Sequence, residues 1–312
     1  MTEGIDRRRF LDCMAWAGAG VLWTVSGGIA ASIPLDQALA APKGAKAGGV
    51  KPFSFIQVSD SHIGFNKEPN PDARVTFREA VAKIGALPVT PDFILHTGDI
   101  TQLSKPGEFD DADQILKEAG IPVFFVPGEH DMLDEGQGKA FLDRYGKGSQ
   151  GDGWYSFDHS GVHFVGLVTV KELKAGGMGH LGSDQLAWLE KDLAGRSASQ
   201  PIVVFTHMPM WVVASEWGWG VDDAPQAMSL LNRFGSVMVL NGHIHQVQQK
   251  VEGNISFHTA RSTAFPQPLP GTAPAPGPMK VPAEQLRSFL GVRTINVVHG
   301  NQPLALIDTA LA

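Results

Sequence analysis

From Phe53 onward, short runs of adjacent apolar residues, rich in Val, Ile and Phe, alternate with longer stretches whose apolar positions recur every three or four residues. The first pattern predicts strands buried on both faces, and the second predicts helices with one buried stripe. Strands are expected over 53–58, 93–96, 123–126, 162–168, 202–205 and 237–240, with helices over 72–87, 108–119, 136–145, 183–193 and 224–234. Such alternation predicts an α/β protein with a largely parallel sheet whose chemistry gathers at the carboxyl ends of its strands. After His245 the pattern changes. Residues 246–251 and 254–259 read as a hairpin about Glu252 and Gly253, and 292–298 with 304–307 as a second pair. Together they predict a second, more antiparallel sheet packed on the first. Between the pairs, residues 266–282 hold seven of the 21 prolines, too many for a helix or a central strand. An ordered or semi-rigid surface loop is expected there, acting as a spacer rather than as a ligand for a partner domain.

Composition sharpens this picture at the N-terminus. The stretch DRRRFLDCMAWAG, residues 6–18, is followed by a Gly- and Ala-rich apolar run to about Ile33. It resembles a twin-arginine export signal, and Ala38, Leu39 and Ala40 supply an A-x-A cleavage pattern. The resemblance implies a leader over residues 1–40, the export machinery as a partner, and a periplasmic or extracytoplasmic destination. An uncleaved membrane anchor is the other reading, and Gly18, Gly20, Gly27 and Gly28 weigh against it. The single cysteine, Cys13, lies inside the leader. Residues 41–312 therefore have neither disulfides nor thiolate ligands, so any metal must be held by His, Asp, Glu or amide oxygen. With a net charge of −7 and no Lys/Arg cluster in the body of the chain, a nucleic acid duplex is not expected as a partner.

The residues just beyond each expected strand carry most of the information. Strand 53–58 leads into Ser59-Asp60-Ser61-His62, and 93–96 into Thr97-Gly98-Asp99. Strand 123–126 leads into Pro127-Gly128-Glu129-His130-Asp131, 202–205 into Thr206-His207, and 237–240 into Asn241-Gly242-His243-Ile244-His245. Each motif alone reads equally well as an ordinary polar turn or cap. Converging on one cleft, these groups would repel or desolvate one another unless cations sat among them. Such a donor set suits Zn, Mn or Fe, and a carboxylate between two ions about 3.5–4 Å apart is the two-metal arrangement for in-line displacement at phosphorus. The glycines before Asp99, Glu129 and His243 are expected to permit sharp strand-to-loop turns.

The motifs D-x-H, G-D, G-x-H-D, a single H and G-H-x-H, in this order from Phe53 to about His258, resemble the calcineurin-like metallophosphoesterase family. The resemblance implies a two-sheet α/β sandwich flanked by helices and a dinuclear centre of Mn, Fe or Zn, divalent or mixed-valence. Asp60, His62 and His245 would hold one metal, His207 and His243 the other, and Asp99 would bridge. It further implies hydrolysis of a small-molecule phosphodiester or phosphomonoester by a metal-bound hydroxide. His130 would protonate the leaving group or stabilise phosphoryl charge, with Asp131 orienting its ring. Cyclic nucleotides, glycerophosphodiesters and phosphomonoesters all fall within the family's range. A metal-bound binding or sensing protein without turnover is the alternative.

Glu129 departs from the family pattern, which has Asn there. Glutamate is expected to ligate the second metal, because an unpaired carboxylate beside two cations is hard to keep away from them. Two divalent ions and a bridging hydroxide against Asp60, Asp99 and Glu129 sum to neutrality. Such a cluster is expected to prefer phosphodiesters to dianionic monoesters, or to carry one ferric ion. The Tyr that binds ferric iron in purple acid phosphatases is Gln102 here, so no iron–tyrosinate colour is expected. His96, His163, His258 and His299 fall within strand patterns and are expected to be structural; His180, in a glycine-rich segment, reads either way. Trp211, Trp217 and Trp219 come soon after His207 and are expected either to wall the substrate pocket or to pack a loop or an oligomer contact.

Overall fold

The computed structural model describes residues 52–297 apart from 172, 174 and 175, together with 21–26, 29–34 and 305–311. Strands β1 (Val21–Ser26) and β2 (Ile29–Pro34) form an antiparallel pair of their own. Arg7 to Arg9 and the Ala38–Ala40 pattern lie outside the described residues. In chain order there come next β3 (Phe53–Val58), α1 (Ala73–Gly85), β4 (Ile94–His96), α2 (Pro106–Lys117), β5 (Val123–Phe125), α3 (Lys139–Tyr145), β6 (Tyr155–His159) and β7 (Val162–Gly166). Then come α4 (Ser183–Leu193), β8 (Ile202–Phe205), α5 (Ala224–Leu231), β9 (Val237–Asn241), β10 (Gln249–Glu252), β11 (Ile255–Thr259), α6 (Leu286–Phe289), β12 (Gly291–Val297) and β13 (Ala305–Ala310).

The strands form two mixed sheets, in the orders β13-β12-β3-β4-β5 and β10-β11-β9-β8-β7-β6. Strands β3, β4 and β5 run parallel in the first sheet, as do β7, β8, β9 and β11 in the second. The expected division into one parallel and one antiparallel sheet is therefore corrected. The six central strands split three and three, and each C-terminal hairpin extends a different sheet. The strand pattern explains why. In β3, Phe53 and Phe55 face the inter-sheet core with Phe164, Val203, Phe205 and Leu240, whereas Ile56 and Val58 pack under α1 and α2. In β8 and β9, Ile202, Val204 and Val239 likewise turn toward α4 and α5. A strand covered on both faces is apolar throughout, so its residues do not say which sheet it joins. Strand β6 escaped the pattern because it is a half-exposed edge strand.

Two helix starts follow local sequence signals. Asp72 caps α1 by accepting from the Arg74 amide at 3.0 Å. Helix α2 starts at Pro106, two residues before the expected start, because proline suits a first helical turn. Residues 266–282 are not a detached spacer. Gln246 Nε2 donates to the carbonyls of Gln267 and Pro268, and Gln267 Nε2 donates to the His243 carbonyl at 2.8 Å. These bonds fold the proline segment over the ends of the sheets.

Candidate metal centre

The strand ends make their turns in an unusual conformation. Asp60, His62, Asp99, His243 and His245 all have positive φ, between 42° and 68°. A non-glycine residue in that region costs on the order of 1–2 kcal/mol. The cost is offset by a ladder that continues past the strands: Asp60 N donates to Gly98 O, His62 N to Asp99 O, and Ile63 N to Ile100 O, at 2.9–3.0 Å. Of the three glycines expected to permit sharp turns, one does so and two serve another purpose. Only Gly98 has positive φ; at Gly128 and Gly242 a Cβ would run into the Asp99 carboxylate and the Ser59 hydroxyl. Those two leave room for ligands rather than for a turn.

Two clusters result. In the first, Asp60 Oδ1 lies 3.3 Å from His245 Nε2, which lies 3.3 Å from His62 Nε2. In the second, Glu129 Oε2 lies 2.8 Å from His207 Nε2 and Glu129 Oε1 lies 3.0 Å from His243 Nδ1. Asp99 Oδ2 stands between them, 3.5 Å from His62 Nε2 and 3.4 Å from His207 Nε2. The sequence-expected ligands are thus brought together, Glu129 included, in groups whose donor atoms all fall within 4.8 Å of one another.

The donors fit cations and fit little else. His245 Nδ1 faces the Phe265 carbonyl at 2.6 Å, His207 Nδ1 the Thr97 carbonyl at 2.8 Å, and His62 Nδ1 the Gln102 side-chain oxygen at 3.1 Å. A carbonyl only accepts, so each Nδ1 carries the proton and each Nε2 turns a lone pair inward. Two inward lone pairs then meet at 3.3 Å between His62 and His245. That is close to the separation of two ligands about 2.0–2.1 Å from a shared ion. Glu129 Oε2, though buried and 2.8 Å from His207 Nε2, has no hydrogen-bond partner. The fit extends to oxygen as well as nitrogen donors, so the residues present suit a pair of ions such as Zn, Mn or Fe.

Electrostatics agree. Burial pushes the Glu129 carboxyl upward, but the His243 and His207 imidazoles hold it well below its usual range. Burial disfavours charge on His207, yet Asp99 and Glu129 lift its proton affinity well above normal. The cluster therefore demands positive charge. His62 is driven down to about 3, mainly by burial. For His130, burial is outweighed by Asp99 and Glu129, so its pKa is raised.

Asp131 does not orient the His130 ring. Its carboxylate accepts from the amides of Ile100, Thr101 and Gly128 at 3.1, 2.9 and 3.0 Å and from the Thr101 hydroxyl at 2.9 Å. Burial foremost, with Asp99 next, raises its pKa to about 6 despite these donors. In the 3₁₀ turn Glu129–Asp131, adjacent side chains point about 120° apart, so Asp131 ties the Asp99 loop to the Glu129 turn from behind. The ring is held instead by Gln102, whose main-chain oxygen accepts from His130 Nδ1 at 2.7 Å. Gln102 thus steadies both His62 and His130. Sequence reasoning marked that position only for the tyrosine it lacks.

Of the two expectations for the tryptophans, Trp217 and Trp219 follow the packed loop and not the substrate wall. Trp217 and Trp219, 8% and 1% exposed, pack edge to face at 4.9 Å in a cluster with Ala214 and Ile244. They support the His243–His245 turn from within and do not line the cleft. Trp211 packs on Phe257 and borders a separate groove. His180 is paired with Asp222 at 2.7 Å, in a cluster with Asp223 apart from the dinuclear site. His163 bonds Asp158 and Asp192, His96 bonds the Ser61 hydroxyl, and His299 lies outside the described residues.

Comparison with known proteins leads to the same class of molecule. The family of calcineurin-like phosphoesterases matches residues 53–247. Among curated proteins, the chain is 26% identical over 228 residues to a probable cyclic nucleotide phosphodiesterase of Synechococcus, covering 71% of this chain and 86% of that one. It is 25% identical over 226 residues to a probable glycerophosphodiester phosphodiesterase of Arcobacter nitrofigilis, covering 66% and 77%. In fold it resembles a dimetal phosphatase from Danio rerio, with a TM-score of 0.59 at 15% identity over 84% of this chain and 99% of that one. A purple acid phosphatase from yellow lupin seeds gives 0.60 at 14% identity, over 84% and 52%. At such identities the likeness to solved structures is one of fold alone. The chain belongs to the calcineurin-like phosphoesterase family, a class of metal-dependent phosphoric ester hydrolases.

Proposed function

We propose that the protein is a dinuclear-metal phosphodiesterase of small-molecule esters, exported by a twin-arginine leader over residues 1–40 and acting in the periplasm through a unit formed by residues 41–312. The observation that carries the catalytic reading is Asp99 Oδ2 poised between two donor clusters, 3.5 Å from one and 3.4 Å from the other. The relatives named as phosphodiesterases support it. The export reading rests on the arginines, the Gly- and Ala-rich apolar run after them and the Ala38–Ala40 pattern. Among the described residues no helix is long and apolar enough to cross a membrane.

Asp60, His62 and His245 would hold one ion, Glu129, His207 and His243 the other, with Asp99 shared. Ions bound there would polarise the phosphoryl oxygens and acidify a water nucleophile. The chain's own groups do the rest. His130, its Nδ1 engaged by Gln102, keeps Nε2 to pass a proton to the departing ester oxygen. Glu129 places a charge where the family pattern has a neutral amide, lowering the positive charge available to a phosphate dianion. A preference for a monoanionic diester is the consequence.

The test is hydrolysis of bis(4-nitrophenyl) phosphate and 4-nitrophenyl phosphate after loading with Mn, Fe or Zn, with metal content measured on the same sample. The diester is expected to be preferred. Protein with two metals per chain and no turnover of either ester would instead indicate a binding or sensing module.

A further inference from the structure

Behind the candidate metal centre, one side chain reaches from the first sheet to the backbone of the second. Gln57 is fully buried in β3, the strand that leads into Asp60 and His62. Its Nε2 donates to the Asn241 carbonyl, at the end of β9, at 3.1 Å and to Thr97 Oγ1, just past β4, at 3.2 Å. Asn241 leads into the His243 turn, and the Thr97 carbonyl accepts from His207 Nδ1 at 2.8 Å. The strand that carries one cluster of donors thus holds the backbone that carries the other.

The amide is oriented from behind. Arg293, fully buried and opposite Gln57 in the pairing of β12 with β3, donates from Nη1 to Gln57 Oε1 at 3.2 Å. A guanidinium only donates, so it fixes the oxygen end of the amide and turns Nε2 toward Thr97 and Asn241. Arg293 is itself held by the Asp308 carboxylate at 2.9 and 3.1 Å and by the Thr259 carbonyl at 2.8 Å. Thr97 donates its own hydroxyl proton to Ser59 Oγ at 2.7 Å, which leaves its oxygen to accept from Gln57.

From this chain of bonds, and resting on the two-metal reading above, we propose that Gln57 is a positioning residue for the site formed by Glu129, His207 and His243. It acts through Thr97 and Asn241. The other site has its own supports: the Asp60 and His62 amides donate to the Gly98 and Asp99 carbonyls, and His245 Nδ1 donates to the Phe265 carbonyl. Loss of the Gln57 amide therefore loosens one site and spares the other. Outer partners that orient metal ligands are worth about 10–100-fold in metal affinity.

The experiment is a Mn(II) titration of the metal-free full chain, with unbound Mn(II) read by electron paramagnetic resonance and folding checked by urea unfolding. Gln57→Met keeps the length of the side chain without its charge-neutral amide, and Arg293 retains Asp308 and Thr259. One ion is expected to bind about 10–100-fold more weakly than in wild type and the other within about threefold of it. Added to Glu129→Ala, Gln57→Met is expected to leave the affinity of the remaining ion unchanged, because the two sites are supported independently. Should Gln57→Met not fold, Thr97→Val, which removes one of the two acceptors, decides the matter, with a loss of about threefold or more expected at the same ion. Two ions bound as in wild type, equal weakening of both, or a further loss in the double variant would overturn this assignment and leave the two-metal reading standing. Wild-type protein that binds fewer than two ions would overturn both.

Discussion

Glu129 Oε2 lies 2.8 Å from His207 Nε2, yet no hydrogen bond joins them. With His243 Nδ1 3.0 Å from the other carboxylate oxygen, the three side chains gather donor atoms that a shared cation would use. Glu129, His207 and His243 thus form a group that could hold a metal ion. Glu129→Ala is expected to reduce bound metal from two ions per chain toward one, measured by elemental analysis. Glu129→Asn should keep both ions, gain one unit of positive charge, and raise the monoester-to-diester rate ratio about tenfold or more. Unchanged metal content and an unchanged ratio would remove Glu129 from the centre.

His130 is expected to matter in proportion to how much the leaving group needs a proton. His130→Ala should slow hydrolysis of a diester with an aliphatic leaving alcohol by about 10²–10⁴-fold. For 4-nitrophenolate, which departs without a proton, the loss should be less than tenfold. Equal losses with both esters would assign His130 to binding phosphoryl charge instead.

Asp131 gathers three backbone amides and the Thr101 hydroxyl. Asp131→Ala strands those donors in a buried turn, so the variant is expected to lose about 3 kcal/mol in urea unfolding. Because Gln102 holds the His130 ring, whatever activity survives should keep the wild-type leaving-group dependence. An unfolding midpoint equal to that of the wild type would contradict this role.

His258 is buried, and burial foremost, with the Arg293 guanidinium second, lowers its pKa from 6.5 to about 3. The unfolded chain then binds a proton that the folded protein refuses. Stability linked to this group is full above pH 6.5 and lost as pH falls through 6.5 toward 3. His258→Gln is expected to flatten the decline in unfolding free energy between pH 6.5 and 4, measured against wild type. Parallel curves would contradict it.

The site was legible because its chemistry is local to each strand end. The aspartates and histidines sit within a few residues of apolar runs, and Asp60, His62, Asp99, His243 and His245 take positive φ, which Asp and His tolerate better than most residues. The placement of Asp60, His62, Asp99, His207, His243 and His245 could therefore be read residue by residue. Partition of the strands was not legible, since Phe53 to Val58 and Ile202 to Phe205 are each buried on both faces. Sequence adjacency misled where geometry decides direction. Asp131 is next to His130 in the chain yet faces away from its ring, and Trp217 and Trp219 come soon after His207 yet pack behind Ile244. The role of Gln102 could not be seen, because the contacts that reveal it span 28 and 40 residues.

The most direct test is anomalous diffraction from crystals of the Mn-loaded protein. Two peaks are expected about 3.5–4 Å apart, one beside Asp60, His62 and His245 and the other beside Glu129, His207 and His243, with the Asp99 carboxylate between them. A single peak, peaks away from these residues, or histidines turned out of the cleft would contradict the dinuclear centre on which the assigned chemistry depends.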